Sequence, residues 1–280
     1  MEWVERFNKA INFIEEHLTD EIDYEQVAKI ACCSSYHFQR MFHYLTEVPL
    51  SEYLRRRKMS LAAVDLQSGA KIIDVALKYG YSSPTAFNRA FQGIHGSVPS
   101  SVKQDGVPLK SFPPINFKQI LKGVEEMNYR IEKKEAFRVV GLSALLDKDM
   151  EKNLESVPMR WQKASEDGTT QKLQSLMDGQ PAGLLGVSVC NDADEWRYYI
   201  AVASSKNIDE ALDEYIIPSF TWAIFSGEGS GSAVPTLERQ IITEWLPTSG
   251  YEYDNGPDIE VYLSSDPAKF EVWIPVIKKN

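Results

Sequence analysis

Two short segments of the chain carry arginine, glutamine and asparagine between phenylalanines at matching positions. Phe38-Gln39-Arg40-Met41-Phe42 recurs forty-nine residues later as Phe87-Asn88-Arg89-Ala90-Phe91. On helices, this spacing turns the aromatic residues inward and the polar residues outward. Arginine, asparagine and glutamine carry the paired donors and acceptors that match base edges in the DNA major groove. The pattern therefore predicts two helices that read DNA, with candidate contacts at Ser35, Tyr36, Gln39, Arg40, Thr85, Asn88 and Arg89.

The repeat extends beyond these segments and predicts helix, short turn and helix in each copy. Val27-Ala28 returns as Val75-Ala76, and Val48-Pro49 returns as Val98-Pro99. Small alanines allow two steeply crossing helices to approach closely. Helix starts are predicted at the N-cap candidates Asp23, Ser34 and Ser83, and a left-handed turn is predicted at Gly80.

A long helix, about 51–67, is predicted to join the two copies. Two helices bridged in this way can enter successive major grooves on one face of a duplex, about one helical turn apart. One molecule would then read two half-sites. The alternative is an all-helical interaction domain whose polar faces are merely solvated.

Composition limits the class of protein. The 280 residues carry a net charge of −10, but residues 1–110 contain 13 basic and 13 acidic side chains, so the excess acid lies further on. This balance argues against non-specific coating of nucleic acid and leaves room for a specific DNA-binding domain. The three cysteines do not make a disulfide framework. We expect a cytoplasmic protein with no membrane span, signal peptide, metal site or cofactor.

After residue 106 the composition of the sequence changes. A segment rich in proline, glycine and lysine predicts a linker over 107–127, and β-branched and aromatic runs then predict strands. Helices are predicted only near 150–165 and 234–247. The strand at 137–142 corresponds to 221–227, and later segments repeat likewise. Residues 128–280 are therefore predicted to be α+β: a duplicated strand-helix-strand-strand unit forming one antiparallel sheet with both helices on one face.

Strand alternation places Glu260 with Tyr262, and Glu271 with Trp273, as pairs that share a face. If that face lines a cleft, two carboxylates lie among aromatic rings. Rings and carboxylates together suit a cationic, partly apolar ligand. The alternative is that the rings belong to the core and the glutamates to a solvated edge.

The first hundred residues resemble the AraC/XylS family, and most closely its MarA–SoxS–Rob group. The resemblance rests on five segments: 34–42, 49–55, 73–83, 87–91 and 98–100. It implies an all-α domain with two helix-turn-helix motifs over 1–106 and base contacts at Tyr36, Gln39, Arg40, Thr85, Asn88 and Arg89. Glu47 departs from the family, which usually has glycine there, so the loop is expected to be strained or differently shaped. Val102-Lys103 also departs from the usual Tyr-Arg.

Residues 128–280 resemble the GyrI-like effector-binding domain through segments around Trp222, Trp245 and 270–276. This implies an effector site at Glu271 and Trp273, with Glu260, Tyr262 and Trp222 as further candidates. The chain would then be a regulator and not an enzyme. It would bind double-stranded DNA as a monomer, and it would also bind a cationic or amphipathic effector. RNA polymerase is a further candidate partner. Two alternatives stay open for the second domain: a protein-interaction module and a hydrolase of small electrophiles.

Overall fold

A computed structural model describes residues 3–104, 106–117, 127–190, 195–229, 231, 233–265 and 268–279. The chain divides into two compact units, Met1–Cys32 with Thr46–Gln119, and Cys33–Leu45 with Ile120–Asn280. This division differs from the predicted domain boundaries at one place, because the segment 33–45 groups with the second half of the chain. Most of the second half of the predicted linker lies outside the described residues.

The first unit is helical, as the sequence predicts. Its helices are α1 (Trp3–Glu16), α2 (Tyr24–Ala31), α4 (Leu50–Gln67), α5 (Ile72–Lys78) and α6 (Pro84–His95). Helix α3 (Ser35–Thr46) lies between α2 and α4 in the sequence and is described with the second unit. Around α6, Phe87 and Phe91 are fully buried against Met59 and Val75. Phenylalanines at four-residue spacing therefore form the core that the repeat predicts.

Helix starts follow the predicted caps. The side chain of Asp23 accepts from the backbone N–H of Glu25, and that of Ser83 accepts from the backbone N–H of Ala86. Each bond satisfies one of the N–H groups that a helix leaves unpaired at its start. Pro84 occupies the first turn of α6, where its missing N–H is harmless.

The left-handed turn residues repeat with the sequence. Cys32 (φ 59°) in the first copy corresponds to Gly80 (φ 83°) in the second, and Glu47 (φ 57°) corresponds to Gly96 (φ 76°). A side chain in this conformation costs roughly 1–2 kcal/mol. The strain expected where Glu47 replaces glycine is therefore present in the backbone.

The first part of the predicted linker is fixed to the helical unit. Residues 107–117 are irregular, but Asn8 and Phe117 exchange two hydrogen bonds of 2.8 Å. The backbone N–H of Phe112 also donates to Ser60 Oγ at 3.0 Å. These bonds tie the described part of this segment to helices α1 and α4.

The second unit contains one antiparallel sheet. Nine strands are formed by the described residues: β1 (Tyr129–Lys134), β2 (Phe137–Leu145), β3 (Leu184–Cys190), β4 (Trp196–Ala203), β5 (Asp213–Ile217), β6 (Phe220–Glu228), β7 (Tyr251–Tyr253), β8 (Asp258–Ser265) and β9 (Ala268–Lys278). The order across the sheet is β1-β6-β9-β8-β3-β4-β2-β5, with β7 paired to β9. The series β2-β4-β3 mirrors β6-β9-β8, which is the duplication that the sequence predicts, and β3 meets β8 at the pseudo-twofold axis.

The helices of the second unit cover one face of the sheet. Helices α7 (Met150–Glu166) and α8 (Thr169–Leu176) belong to the first repeat. The second repeat has α9 (Ala233–Gln240), a π-helical turn (Ile241–Trp245) and α10 (Leu246–Thr248). Trp161 packs on Tyr262 at 5.0 Å and Trp245 on Phe225 at 4.9 Å between ring centroids, and both strand residues lie on the same face. Among the described elements of this unit, helix α8 and strands β1, β5 and β7 were not predicted from the sequence.

Candidate functional site

A half-buried carboxylate lies between the helices on the covered face of the sheet. Glu260 Oε2 accepts from the Tyr262 hydroxyl at 2.7 Å and from the Tyr198 hydroxyl at 3.2 Å. The Tyr198 oxygen accepts in turn from the indole N–H of Trp161 at 2.8 Å. Strand alternation positions Tyr262, two residues along β8, and α7 supplies the indole. We call these four residues the cleft.

Space for this carboxylate comes from a glycine on the neighbouring strand. Gly186 pairs with Glu260 across the β3–β8 ladder. A Cβ at this glycine would lie 2.8 Å from Glu260 Oε2 and would overlap the Tyr198 hydroxyl. The absence of a side chain at Gly186 therefore leaves the room that the Glu260 carboxylate and the Tyr198 hydroxyl occupy.

Burial raises the pKa of Glu260, although hydrogen bonds from the two tyrosines oppose this shift. Burial also raises the pKa values of Tyr198 and Tyr262, so both stay protonated donors near neutral pH. A carboxylate that has lost water but keeps aromatic neighbours gains from a cation placed beside it. The cleft is therefore suited to bind positive charge on an apolar body.

The second predicted pair lies on the other face of the sheet. Trp273 is paired with Ile259 and Glu271 with Val261, so both face away from Glu260. The single pocket expected to contain both glutamates is not formed, because the β8–β9 register sets the pairs on opposite faces. Arg130 already donates two bonds to the Glu271 carboxylate, at 2.7 and 3.2 Å.

Trp222 shares that opposite face and belongs to its core. It is fully buried, and its ring centroid is 5.8 Å from that of Trp273. The structure gives its indole N–H no hydrogen-bond partner among the described residues. Of the five predicted effector residues, the structure therefore brings Glu260 and Tyr262 together and places the other three elsewhere.

Two further acidic residues lie beside the cleft and bind an arginine of α3. Asp258, two residues before Glu260 on the same face of β8, accepts from Arg40 Nη1 at 2.6 Å. Glu238 of α9 accepts from Arg40 Nη2 and from the Tyr44 hydroxyl. Burial raises the pKa of Glu238 to about 7, although Arg40 opposes this shift. Burial also acts to raise the pKa of Asp258, but the charges of its neighbours outweigh it and hold that pKa below its ordinary value.

The predicted DNA-contact residues of α3 are buried in the second unit. Their exposed fractions are 2% for Ser35, 6% for Tyr36, 4% for Gln39 and 8% for Arg40. Tyr36 packs edge-on against Trp196 of β4, with ring centroids 5.1 Å apart. Polar side chains that the sequence turns outward are thus covered by this unit's own sheet.

The corresponding residues of α6 are exposed. Thr85, Asn88 and Arg89 all lie on the outer face of the helix, opposite the buried Phe87 and Phe91. This face carries an amide and a guanidinium one residue apart. It presents the donors and acceptors that base edges require.

The predicted effector residues do not line the groove at the sheet edge, and the described residues form no metal-ligand cluster. A groove of about 590 Å³ at the β1–β6–β7 edge is lined by Lys133, Phe220 and Tyr251, among others, and contains none of the predicted effector residues. No group of three or more potential metal ligands occurs in the described part of the chain. Nor does any helix described there have the length and apolar character needed to cross a membrane.

Sequence reasoning missed several residues of the site. Asp258 could have been found, since strand alternation puts it on the face of Glu260 and Tyr262. Tyr198 could also have been found, because it lies on the predicted strand 196–202. Glu238 carried no local signal: it is 198 positions from its partner Arg40.

Comparison with known proteins agrees with the two halves of the fold. Residues 27–105 match a helix-turn-helix domain family, and residues 127–277 match the GyrI-like small molecule binding domain. Regulatory protein SoxS of Salmonella typhimurium is 36% identical over 94 residues, 33% of this chain and 88% of that protein. The transcriptional activator AarP of Providencia stuartii is also 36% identical over 94 residues, 33% of this chain and 70% of that one.

Among solved structures, that of SAV2435 bound to tetraphenylphosphonium covers 54% of this chain and 94% of its own, with 21% identity and a TM-score of 0.47. The fold and the relatives together define a DNA-binding transcription regulator with a small-molecule-binding domain. The chain belongs to the AraC-type regulators related to SoxS and, over residues 127–277, to the GyrI-like family.

Proposed function

We propose that this regulator responds to a lipophilic cation bound at Glu260. The observation that carries the proposal is a half-buried carboxylate, held by the Tyr198 and Tyr262 hydroxyls and flanked by Trp161. Such a group favours a cation, and the rings supply dispersion and cation–π attraction. Glu271 is a weaker candidate, because Arg130 already balances its charge.

For DNA, we propose that α3 and α6 are the two recognition helices of a single molecule. Ser35, Tyr36, Gln39 and Arg40 would contact one half-site, and Thr85, Asn88 and Arg89 the next. What supports this assignment is the repeat itself, together with the exposed polar face of α6. Residues 1–106 would form the DNA-binding domain and residues 128–280 the effector domain, with RNA polymerase a further candidate partner.

The test is calorimetric titration of the full chain with tetraphenylphosphonium, chosen as a lipophilic cation without hydrogen-bond donors. Glu260→Gln keeps the acceptor oxygen for the two tyrosines but removes the charge, so the affinity should fall at least tenfold. Glu271→Gln is the matched control on the opposite face and should bind like the wild type. Equal affinity in wild type and Glu260→Gln would remove this carboxylate from the effector site.

A hydrolase is the rival interpretation of the same cleft, since a carboxylate beside two phenols can also act on a small electrophile. It predicts turnover of an electrophilic substrate that Glu260→Gln abolishes. Binding of tetraphenylphosphonium without such turnover supports the regulator. Turnover that depends on Glu260 would favour the enzyme instead.

A further inference from the structure

The two recognition helices are in opposite states. Arg40 and Arg89 occupy the same place in the repeat, yet Arg40 is 8% exposed while Arg89 is exposed to solvent. The difference does not follow from the helices, which share the Phe-x-x-x-Phe core pattern. The difference in exposure arises because residues of the sheet and of α9 cover the polar face of α3.

The cover is a specific set of polar contacts and not only apolar packing. Arg40 donates to Asp258 and Glu238, and its guanidinium lies 5.6 Å from the Tyr44 ring centroid. His37 Nε2 lies 3.2 Å from the same Asp258 carboxylate. We call these contacts, together with the packing of Tyr36 on Trp196, the latch.

The latch uses the groups that DNA would need. A guanidinium that reads guanine donates two parallel bonds to the base. In the latch those donors are already directed at two carboxylates, and the helix face around them is buried. Helix α3 therefore cannot contact a base edge until the latch opens.

The latch and the cleft are neighbours on one face of the sheet. Ser188 and Asp258 pair across β3 and β8, and Gly186 and Glu260 form the next row on that face. Two residues along a strand span about 6.6 Å. A pocket for a drug-sized ligand measures roughly 300–1,000 Å³, which corresponds to a cube about 7–10 Å on a side. A ligand of this size at Glu260 would therefore reach the row that holds Arg40.

The charges around Arg40 favour its displacement by a bound cation, as the size of the ligand does. Glu238, Asp258 and Glu260 face one arginine, so Arg40 is the cation that the acidic cluster holds when no ligand is bound. A second cation brought to Glu260 repels this guanidinium and offers the carboxylates an alternative countercharge.

We propose that α3 is an internal competitor of the effector: Arg40 holds the first recognition helix against the effector domain, and a lipophilic cation at Glu260 releases it to bind DNA. This inference rests on the proposed function of the cleft. Because linkage is reciprocal, operator DNA must strengthen cation binding by the same factor by which the cation strengthens DNA binding.

The experiment uses the full chain carrying Glu238→Gln and Asp258→Asn, which keep the shape of both side chains and remove their charge. Glu214→Gln is the matched control, because it breaks an ion pair with Arg138 at the β2–β5 edge, away from α3. The single variant Glu238→Gln leaves Asp258 with Arg40 and serves as a milder form if the double variant folds poorly.

The first readout is amide hydrogen exchange of the peptide spanning 35–45, with the α6 peptide as internal reference. The latch predicts at least tenfold faster exchange in α3 for the double variant, and for wild type with tetraphenylphosphonium, and no change in Glu214→Gln. Wild-type protection of α3 in the double variant would overturn the latch.

The second readout is affinity for a duplex selected from a random pool with the double variant. We expect this variant to bind at least tenfold more tightly than wild type, and the cation to raise only the wild-type affinity. Equal affinities would overturn the latch while leaving the DNA-binding function in place. If α3 is released but no duplex is selected, the latch stands and the proposed DNA function fails.

Discussion

Replacing Gly186 with alanine tests the packing that creates the cleft. The added methyl would lie 2.8 Å from Glu260 Oε2 and overlap the Tyr198 hydroxyl. The backbone cannot move aside easily, because β3 is paired with β4 on one side and β8 on the other. The side chains must therefore separate, and the bond between Tyr198 and Glu260 is lost. Overpacking costs about 1–3 kcal/mol, and a hydrogen bond to a charged group about 1.5–3 kcal/mol.

Since the two costs share one cause and are not additive, we expect Gly186→Ala to lower the free energy of unfolding by about 2–4 kcal/mol. For a domain of this size, each 1 kcal/mol shifts the melting temperature by about 2–4 °C. Calorimetric melting should therefore show a fall of roughly 5–15 °C, and tetraphenylphosphonium affinity should fall at least tenfold. Adding Tyr198→Phe removes the overlapped oxygen and should restore part of the stability. A Gly186→Ala variant that melts and binds like wild type would refute this packing.

Three further outcomes follow from the same contacts. Arg89→Ala should weaken specific DNA binding by about 1–3 kcal/mol in gel-shift titrations, and Arg40→Ala should do the same when added to the double variant Glu238→Gln/Asp258→Asn. If both variants keep their preference for operator over random DNA, the helix assignment is rejected. Glu47→Gly removes a side chain from a left-handed backbone position and should raise the free energy of unfolding by roughly 0.5–1 kcal/mol in urea titrations. Gly96→Ala adds a side chain at such a position and should lower that free energy. No gain for Glu47→Gly would show that its backbone is unstrained. Glu238 faces Arg40, Tyr44, Asp258 and Glu260, and burial raises its pKa to about 7 from 4.5 in the folded chain. The folded chain therefore binds this proton more tightly than the unfolded chain does, and the resulting contribution to the free energy of unfolding is complete below pH 4.5 and is lost as pH rises through 7. Calorimetric melting temperatures should fall more from pH 6 to pH 8 in wild type than in Glu238→Gln, and equal falls would contradict the raised pKa.

Local patterns in the sequence were sufficient for most of the fold. The forty-nine-residue repeat identified both helix-turn-helix units, because the same core spacing and caps must recur wherever the same helices pack. The faint duplication behind 128–280 identified the mirrored halves of the sheet and the helices that carry Trp161 and Trp245. These features depend on neighbours in sequence, which a single chain displays.

Which residues share the effector site depends on the register between strands β8 and β9, and the sequence does not display that register. Alternation along one strand correctly joins Glu260 with Tyr262 and Glu271 with Trp273. Whether the two pairs meet depends on which residue of β9 lies opposite Ile259, and the structure places Trp273 there. A shift of one residue would have reversed the answer.

Sequence patterns could not predict which residues cover α3. An outward polar face looks the same whether it meets water, DNA or another part of the chain. The partners of Arg40 are 198 and 218 positions away, and nothing near Glu238 or Asp258 indicates an arginine site. Only the folded chain shows that the polar face of α3 is buried and that of α6 is exposed.

A hydroxyl-radical footprint of wild-type protein on its selected duplex tests the central claim most directly. Because hydroxyl radicals cleave at the deoxyribose, we expect, without cation, protection of the backbone that flanks one major-groove segment, the one contacted by α6. With saturating tetraphenylphosphonium, protection should extend to a second segment about one helical turn, or 10 base pairs, away. Full protection of both segments in the absence of any cation would contradict the account.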